Sequence, residues 1–151
     1  MAYSKKEVIE HAVKNLDRIL NSMGVREQGS FLGCVVEDMV TCNSTNILTD
    51  SDGSDYVCPD NGEIELKSTF SPQQNGKYLR VGSLFTKEDK CNYVHFIDGV
   101  NDRQFFVPHD IVFKQMDIAP YSGGQLWWNA DYSVFGSYGN NTKLLLEYER
   151  K

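Results

Sequence analysis

The chain has 151 residues, of which 40% are hydrophobic, 24% charged and 12% aromatic. This length and composition are typical of one globular domain, so we expect a single domain over residues 1–151 and no fibrous, disordered or multidomain architecture. The formal net charge of −6 counts against a protein that binds nucleic acid mainly by neutralising phosphates. A local basic patch beside metal-binding carboxylates remains compatible with it.

No segment approaches the roughly 20 apolar residues of a membrane span. Residues 1–10 lack the apolar core of a secretory signal, so we expect a cytoplasmic protein with no membrane partner. The cysteines form no CxxC pair and have no histidine at zinc-ligand spacing. We therefore expect four reduced and mostly buried thiols, at Cys34, Cys42, Cys58 and Cys91.

The first predicted elements are two helices. Ser4 and Glu7 form a capping-box pattern, and Gly24 is expected to end the first helix as its C′ residue. A second helix is predicted from Ser30 to about Cys42, with Glu37 beside its apolar face. The apolar residues at helical spacing in the first helix are Val8, Ile9, Ala12, Val13, Leu16, Ile19, Leu20 and Met23.

Extended segments follow a polar loop predicted over residues 43–53. A short helical turn is expected at residues 108–110. The order of helices and strands predicts a mixed α/β domain. The predicted strands run from Ser54 to Cys58, Glu63 to Phe70, Tyr78 to Phe85, Tyr93 to Ile97, Arg103 to Val107 and Thr142 to Tyr148.

The turn residues 59–62 (Pro-Asp-Asn-Gly) separate two of these strands and favour a hairpin. Side chains alternate along a strand, so Glu63, Glu65 and Lys67 share one face of the second strand. One interpretation is a solvated face that carries an ion pair. The other interpretation is a catalytic face.

The catalytic interpretation adds Asp55 on the partner strand. An odd-length or bulged turn would place Asp55 opposite Glu65, whereas an even turn without a bulge would put them on opposite faces. Two carboxylates beside Lys67 suit Mg²⁺, which takes one or two carboxylates and accepts phosphate oxygens and waters as further ligands. The metal would activate a water for attack on a phosphodiester.

Asp55, followed after the hairpin by Glu65-Leu66-Lys67, resembles the acid and ExK motif of the PD-(D/E)XK nuclease superfamily. The spacing and the sequence Glu-Leu-Lys-Ser are most similar to the small PvuII-type type II restriction endonucleases. The resemblance implies a restriction-endonuclease-like α/β fold, in which a mixed central β-sheet is flanked by helices. It also implies that Asp55 and Glu65 are ligands of Mg²⁺, for which Mn²⁺ substitutes, and that Lys67 is the catalytic lysine. Glu37 would join the metal site, as in some members, or be an exposed helix acid.

Two loops combine amide side chains, which can read base edges, with cations that can hold phosphates. They would otherwise be ordinary polar turns. His11, His95 and His109 are expected at the core edge or the surface, outside the catalytic set. The candidate DNA-binding residues are Gln73, Gln74, Asn75, Lys77, Arg80, Asn140, Asn141 and Lys143.

The leading hypothesis is a type II restriction endonuclease that acts on double-stranded DNA as a homodimer, because a two-fold protein matches a palindromic site. A repair or recombination nuclease, such as a junction-resolving enzyme, is the first alternative. The second is a non-catalytic binding domain in which Glu65 and Lys67 form a structural ion pair.

Overall fold

The computed structural model describes residues 3–42, 44–49, 54–71, 78–81, 91–116, 126–129, 135–136 and 144–150. The helices are α1 (Lys5–Lys14), α2 (Leu16–Ser22), α3 (Val25–Thr41), α4 (His109–Met116) and α5 (Leu144–Glu147). The strands are β1 (Ile47–Leu48), β2 (Tyr56–Cys58), β3 (Gly62–Thr69), β4 (Tyr78–Val81), β5 (Tyr93–Asp98), β6 (Arg103–Pro108), β7 (Leu126–Asn129), β8 (Phe135–Gly136) and β9 (Glu149–Arg150).

These elements form the mixed α/β fold that the sequence predicts. Six strands build the main sheet in the order β1-β2-β3-β5-β6-β9, and β4-β7-β8 build a smaller one. The pairing of β3 with β5 is parallel, and the other pairings in the main sheet are antiparallel. In the described part of the chain, no helix has both the length and the apolar composition that crossing a bilayer requires.

The main sheet buries side chains on both of its faces. On one face, Val36 of α3 packs with Tyr56, Ile64 and Leu66 in a core cluster. On the other face, apolar residues of β5 and β6 lie beside the polar side chains of β3, since Glu65 pairs with Val94 in register. The strand β3 is therefore buried on both faces although one of them carries charges.

The N-terminal capping box is confirmed. The Glu7 amide donates to the Ser4 hydroxyl at 3.2 Å, and the Ser4 amide donates to the Glu7 carboxylate at 2.7 Å. The single first helix is wrong, because Asn15 leaves helical geometry and its side-chain amide donates to the His11 carbonyl, which splits the segment into α1 and α2. Gly24 is not a C′ residue: its φ is −62° and it is the N-cap of α3, which starts five residues earlier than expected.

The prediction of a closing strand over residues 142–148 is also wrong where the structure describes it. Its Leu-Leu-Leu-Glu core forms α5, and the strand that pairs with β6 is β9 (Glu149–Arg150), which lies after the predicted range. A short leucine run fits a helix and a strand equally well by hydrophobic pattern. The turn expected at residues 108–110 opens a full helix, α4, and the loop expected over 43–53 contains β1.

The four cysteines are thiols, as the sequence predicts, but the expectation that most of them are buried is wrong. Cys91 is buried and Cys58 is half-buried, whereas Cys34 and Cys42 are exposed on and after α3. Each residue turns a helix by about 100°, so positions two before and six after Val36 point away from the core.

The β2–β3 hairpin turns over three residues between Cys58 and Gly62, which are paired in register. The Asn61 amide donates to the Cys58 carbonyl at 3.3 Å. Gly62 then adopts φ +80°, a left-handed conformation that residues with a Cβ rarely take. A turn followed by a left-handed glycine is a common three-residue hairpin connection.

We predict that Gly62→Ala destabilises the protein by about 1–3 kcal/mol, because its φ is strained for alanine and its Cβ would collide with the Asn92 side chain. That side chain accepts a hydrogen bond from the Glu63 amide at 2.9 Å. Urea denaturation measures the effect. Gly29→Ala is the matched control, because a Cβ at Gly29 meets nothing within 4 Å. The control should gain up to about 1 kcal/mol from helix propensity. Equal effects of the two substitutions would contradict the role of Gly62.

Candidate active site

The hairpin loop has an odd length, and the Asp55 carboxylate lies next to the middle of β3. Tyr56 pairs with Ile64 at the end of β2, and the same register continued by one residue would set Asp55 opposite Glu65. The Asp55 carboxylate accepts a hydrogen bond from the amide of Leu66, the residue between Glu65 and Lys67. Residues opposite each other in neighbouring strands share a face. Of the two alternatives for the turn, the structure has the odd one, because three residues separate Cys58 from Gly62. An even turn without a bulge would have put the two acids on opposite faces.

Asp55 is fixed at the end of the β2 ladder from several directions. Its amide donates to the Ile64 carbonyl at 2.7 Å, and its carbonyl accepts from the Thr49 amide at 3.0 Å. Its carboxylate Oδ2 accepts the Leu66 amide at 2.6 Å. This is a charge-assisted hydrogen bond, about twice as strong as a neutral one. The Asp55 carboxylate thus satisfies the Leu66 amide of β3 in place of a main-chain carbonyl.

Glu65 and Lys67 form an ion pair with 2.8 Å between Oε1 and Nζ. Their side chains are only 11% and 16% exposed, respectively. The first interpretation is therefore wrong about a solvated face, whereas the ion pair that it predicts is present. The apolar Val94 and Phe96 are their register partners on β5 and have no exposed surface. Burying a pair of charges costs desolvation energy, so this pair is weak evidence for a purely stabilising role.

The carboxyl group of Glu37 on α3 interacts electrostatically with Asp55 and Lys67. Its side chain is half-buried, and α3 packs on β3. Burial raises the pKa of the Glu37 carboxyl, the negative charge of Asp55 raises this pKa further, and the positive charge of Lys67 lowers it. The fold therefore brings Glu37 within electrostatic range of the hairpin residues, rather than leaving it as an exposed helix acid.

The candidate DNA-binding residues fall outside the part of the chain whose side chains are described. The backbone of Arg80 lies on β4, opposite Trp127 of β7. The other candidates lie outside the described residues: Gln73, Gln74, Asn75, Lys77, Asn140, Asn141 and Lys143.

A buried hydrogen-bond network that sequence reasoning missed lies under the hairpin. The Tyr56 hydroxyl is 2.9 Å from Nδ1 of His95, and Nε2 of His95 is 2.8 Å from Oε1 of Gln104. The imidazole stacks on Phe106 with 4.1 Å between ring centroids. His95 is 4% exposed and is a core residue, not one at the core edge or the surface. No local motif links Tyr56, His95 and Gln104. They come together only when β2, β3, β5 and β6 pair side by side in the sheet.

A cleft of about 730 Å³ opens elsewhere, on the side of the sheet covered by α3. Its walls include Val36, Phe70, Ile97 and Gln104, but not the hairpin carboxylates or Lys67. The cleft and the charged group are therefore separate features of the molecule, and the charged group is the candidate site for chemistry.

The donor set of the hairpin fits a hard divalent cation. Among the described residues, no group of three or more His, Cys, Asp or Glu side chains is arranged to hold a metal ion. Mg²⁺ does not require such a cage, because one or two carboxylates with waters and phosphate oxygens satisfy it. Asp55 and Glu65 supply that pair. Neither the models of known protein families nor the curated proteins include a match to this chain.

We predict a pH dependence of stability from His95. Burial lowers the pKa of His95 to about 4, below the ordinary value of 6.5. Between these two pH values His95 is protonated in the unfolded chain but neutral in the folded protein. The free energy of unfolding therefore has its full value above pH 6.5 and decreases as the pH falls toward 4. Between pH 7 and pH 5 this loss is about 2 kcal/mol.

His95→Gln keeps a donor and an acceptor in the network and should remove that part of the loss. The measurement is the free energy of unfolding in urea at pH 7 and pH 5. His11→Gln, at an exposed histidine, is the control and should decline as the wild type does. The same decline in all three proteins would refute the assignment to His95.

Proposed function

We propose that this protein is a type II restriction endonuclease, which hydrolyses phosphodiester bonds at a specific site in double-stranded DNA and depends on Mg²⁺. The single observation that carries the proposal is the hydrogen bond between the Asp55 carboxylate and the amide of Leu66, the residue between the ion-paired Glu65 and Lys67. Asp55, Glu65 and Lys67 have the residue order of the acid and ExK motif that the sequence resembles. The fold class is compatible with a restriction-endonuclease-like sheet.

Each residue has a distinct part in the proposed chemistry. Asp55 and Glu65 would hold the cation, and Glu37, whose carboxyl is influenced by the charge of Asp55, would be a further candidate ligand. A bound Mg²⁺ supplies a polarised phosphate oxygen and a water of lowered pKa. The Lys67 ammonium orients the attacking water or stabilises the negative charge that develops on the phosphate. The hydrogen bond from the Leu66 amide holds the Asp55 carboxylate in place before substrate arrives.

The proposed substrate is DNA in the cytoplasm, although the chain has a net negative charge that would repel phosphates. The net charge of −6 includes the carboxylates of the candidate site itself. Net charge governs long-range attraction, whereas recognition depends on local contacts to phosphates and bases. We propose that residues 73–77 and Arg80 supply such contacts, because they follow the β3 segment closely in the sequence.

We predict that Asp55→Ala, Glu65→Gln and Lys67→Met each reduce cleavage of plasmid DNA by roughly 1,000-fold or more, because the three residues act as one unit. Glu63→Gln is the matched control, since Glu63 lies on the same face of β3, two residues from Glu65. This control should cleave at the wild-type rate. Circular dichroism checks that every variant is folded.

The metal is tested in the same digest. Cleavage should require Mg²⁺ or Mn²⁺, and Ca²⁺ should support binding with little cleavage because it activates its bound water less. Discrete plasmid fragments support a restriction enzyme. Cleavage only of branched or damaged DNA would instead indicate a repair or junction-resolving nuclease. No cleavage of any substrate would favour a non-catalytic binding domain, and full cleavage in excess chelator would exclude the metal mechanism.

A separate prediction concerns DNA contacts. Lys77→Ala and Arg80→Ala should weaken binding to all duplexes and flatten its salt dependence, since they would remove phosphate contacts. Replacing Gln73, Gln74 or Asn75 by alanine should cost specific binding roughly 1–3 kcal/mol per lost base contact and spare random DNA. Salt titrations on specific and random duplexes separate the two effects. Full discrimination in the amide variants would move the reading loop to Asn140, Asn141 and Lys143.

The proposal includes a homodimer, so that one active site faces each DNA strand. Apolar side chains on the N-terminal helices support it, because neither α1 nor α2 has a buried residue. Helices this short are marginal in water without packing. Val13 is 72% exposed and Met39 on α3 is 67% exposed. Val8, Ile9 and Val13 recur at helical spacing along α1 and are each more than half exposed, and a protein partner would cover such an apolar helix face.

We predict that Val13→Glu and Met39→Glu shift the protein toward monomer, because each buries a charge in the proposed interface. Sedimentation equilibrium measures the dimer dissociation constant, which should rise at least tenfold. Lys14→Glu is the control at an adjacent, exposed polar position of α1 and should leave the constant within about twofold. A monomeric wild type at micromolar concentration would argue against the dimer.

A further inference from the structure

We propose that Tyr56, His95 and Gln104 are positioning residues, which hold the Asp55 carboxylate in its metal-binding place through a hydrogen-bonded relay beneath β3. The inference rests on the proposed function and adds to it residues outside the acid and ExK motif. Tyr56 directly follows Asp55 in the chain, and its side chain lies on the opposite face of the sheet.

The relay joins strands that the main-chain ladder does not join. Tyr56 belongs to β2 and His95 to β5, and β3 lies between these two strands. The hydrogen bond of 2.9 Å from Tyr56 to His95 crosses under β3, where Leu66 is the register partner of His95. The strand β2 has only three residues in register with β3. A direct tie to β5 therefore adds a constraint that so short a ladder lacks.

Each hydrogen bond of the relay fixes which atom donates in the next one. The carbonyl oxygen of Gln104 only accepts, so Nε2 of His95 carries the proton and donates to it. A neutral imidazole then has an unprotonated Nδ1, which accepts the hydroxyl proton of Tyr56. Tyr56 is 1% exposed and His95 is 4% exposed. Removal of one partner leaves a buried polar atom without a hydrogen bond, so the three groups hold one another in place.

The relay acts on Asp55 through the planar peptide bond between residues 55 and 56. A displacement of Tyr56 moves the Asp55 backbone, whose amide bonds the Ile64 carbonyl at 2.7 Å. It thereby changes the 2.6 Å hydrogen bond from the Leu66 amide to the Asp55 carboxylate. The Leu66 amide is consequently a local reporter of the Asp55 position, and it can be observed without any metal, DNA or catalysis.

The test compares Tyr56→Phe, which removes one hydroxyl from the relay, with Tyr93→Phe, which removes a hydroxyl on the same face of β5 outside the relay. In full-length protein we measure the chemical shift and the hydrogen exchange of the Leu66 amide, and the dissociation constant for Mn²⁺ by calorimetry. Tyr56→Phe should shift the Leu66 amide proton upfield, speed its exchange and weaken Mn²⁺ binding about tenfold. Tyr93→Phe should leave the chemical shift unchanged and the dissociation constant within about twofold.

Gln104→Met tests the relay from its far end, two strands away from Leu66 along the sheet. It should change the Leu66 amide in the same direction as Tyr56→Phe. In cleavage assays both relay variants should need more Mg²⁺ for half-maximal rate and keep kcat at saturating Mg²⁺ within about twofold, because positioning affects metal capture more than the chemical step.

The outcomes separate the relay from the proposed function. A lower melting temperature with an unchanged Leu66 amide would overturn the relay and leave these residues with a structural role alone. A wild type that neither binds Mn²⁺ nor cleaves DNA would overturn the proposed function. In that case the Leu66 amide still decides whether the relay positions Asp55: altered in both relay variants and unaltered in Tyr93→Phe, it supports the positioning.

Discussion

The candidate site depends on the register of a single hairpin. Three residues separate Cys58 from Gly62, and Gly62 accepts the left-handed conformation that this connection needs. A slip of one residue would move every side chain of β3 to the other face, taking Glu65 and Lys67 into the core against α3. The glycine in the turn and the Asp55 carboxylate at the open end of the ladder therefore act together. One sets the register, and the other holds it with a charge-assisted hydrogen bond to Leu66.

Charged side chains at the centre of a sheet require an explanation, because removing them from water costs free energy. Glu65 and Lys67 lie beside the fully buried Val94 and Phe96 of β5, and each supplies a counter-charge to the other. Replacing a buried ion pair by apolar residues is often neutral or stabilising, so the pair's contribution to stability alone does not account for its presence. The proposed binding of a cation and a phosphate would account for it, since carboxylates and an ammonium would then be needed in a partly dry place.

The sequence predicted what local chemistry determines. The capping box at Ser4, the hairpin turn and most strands of the main sheet follow from residue type and short-range pattern. It did not predict the break at Asn15, where a side-chain amide competes with the helix for a carbonyl, or the helix α5, where a leucine run fits two structures. The contact between Tyr56 and His95 also escaped it, because such a contact exists only once β3 and β5 are paired in parallel.

Under the proposed function, local charges would allow an acidic chain to act on DNA. Among the described residues of the site, the carboxylates of Glu37, Asp55 and Glu65 outnumber the ammonium of Lys67, and the charge of Asp55 contributes to the raised pKa of Glu37. A bound divalent cation would relieve that repulsion and attract a phosphate to the same place. Metal and DNA would then each raise the affinity of the other by the same factor, as linkage requires. The acidity of this region is therefore compatible with a nucleic acid substrate that shares the cation.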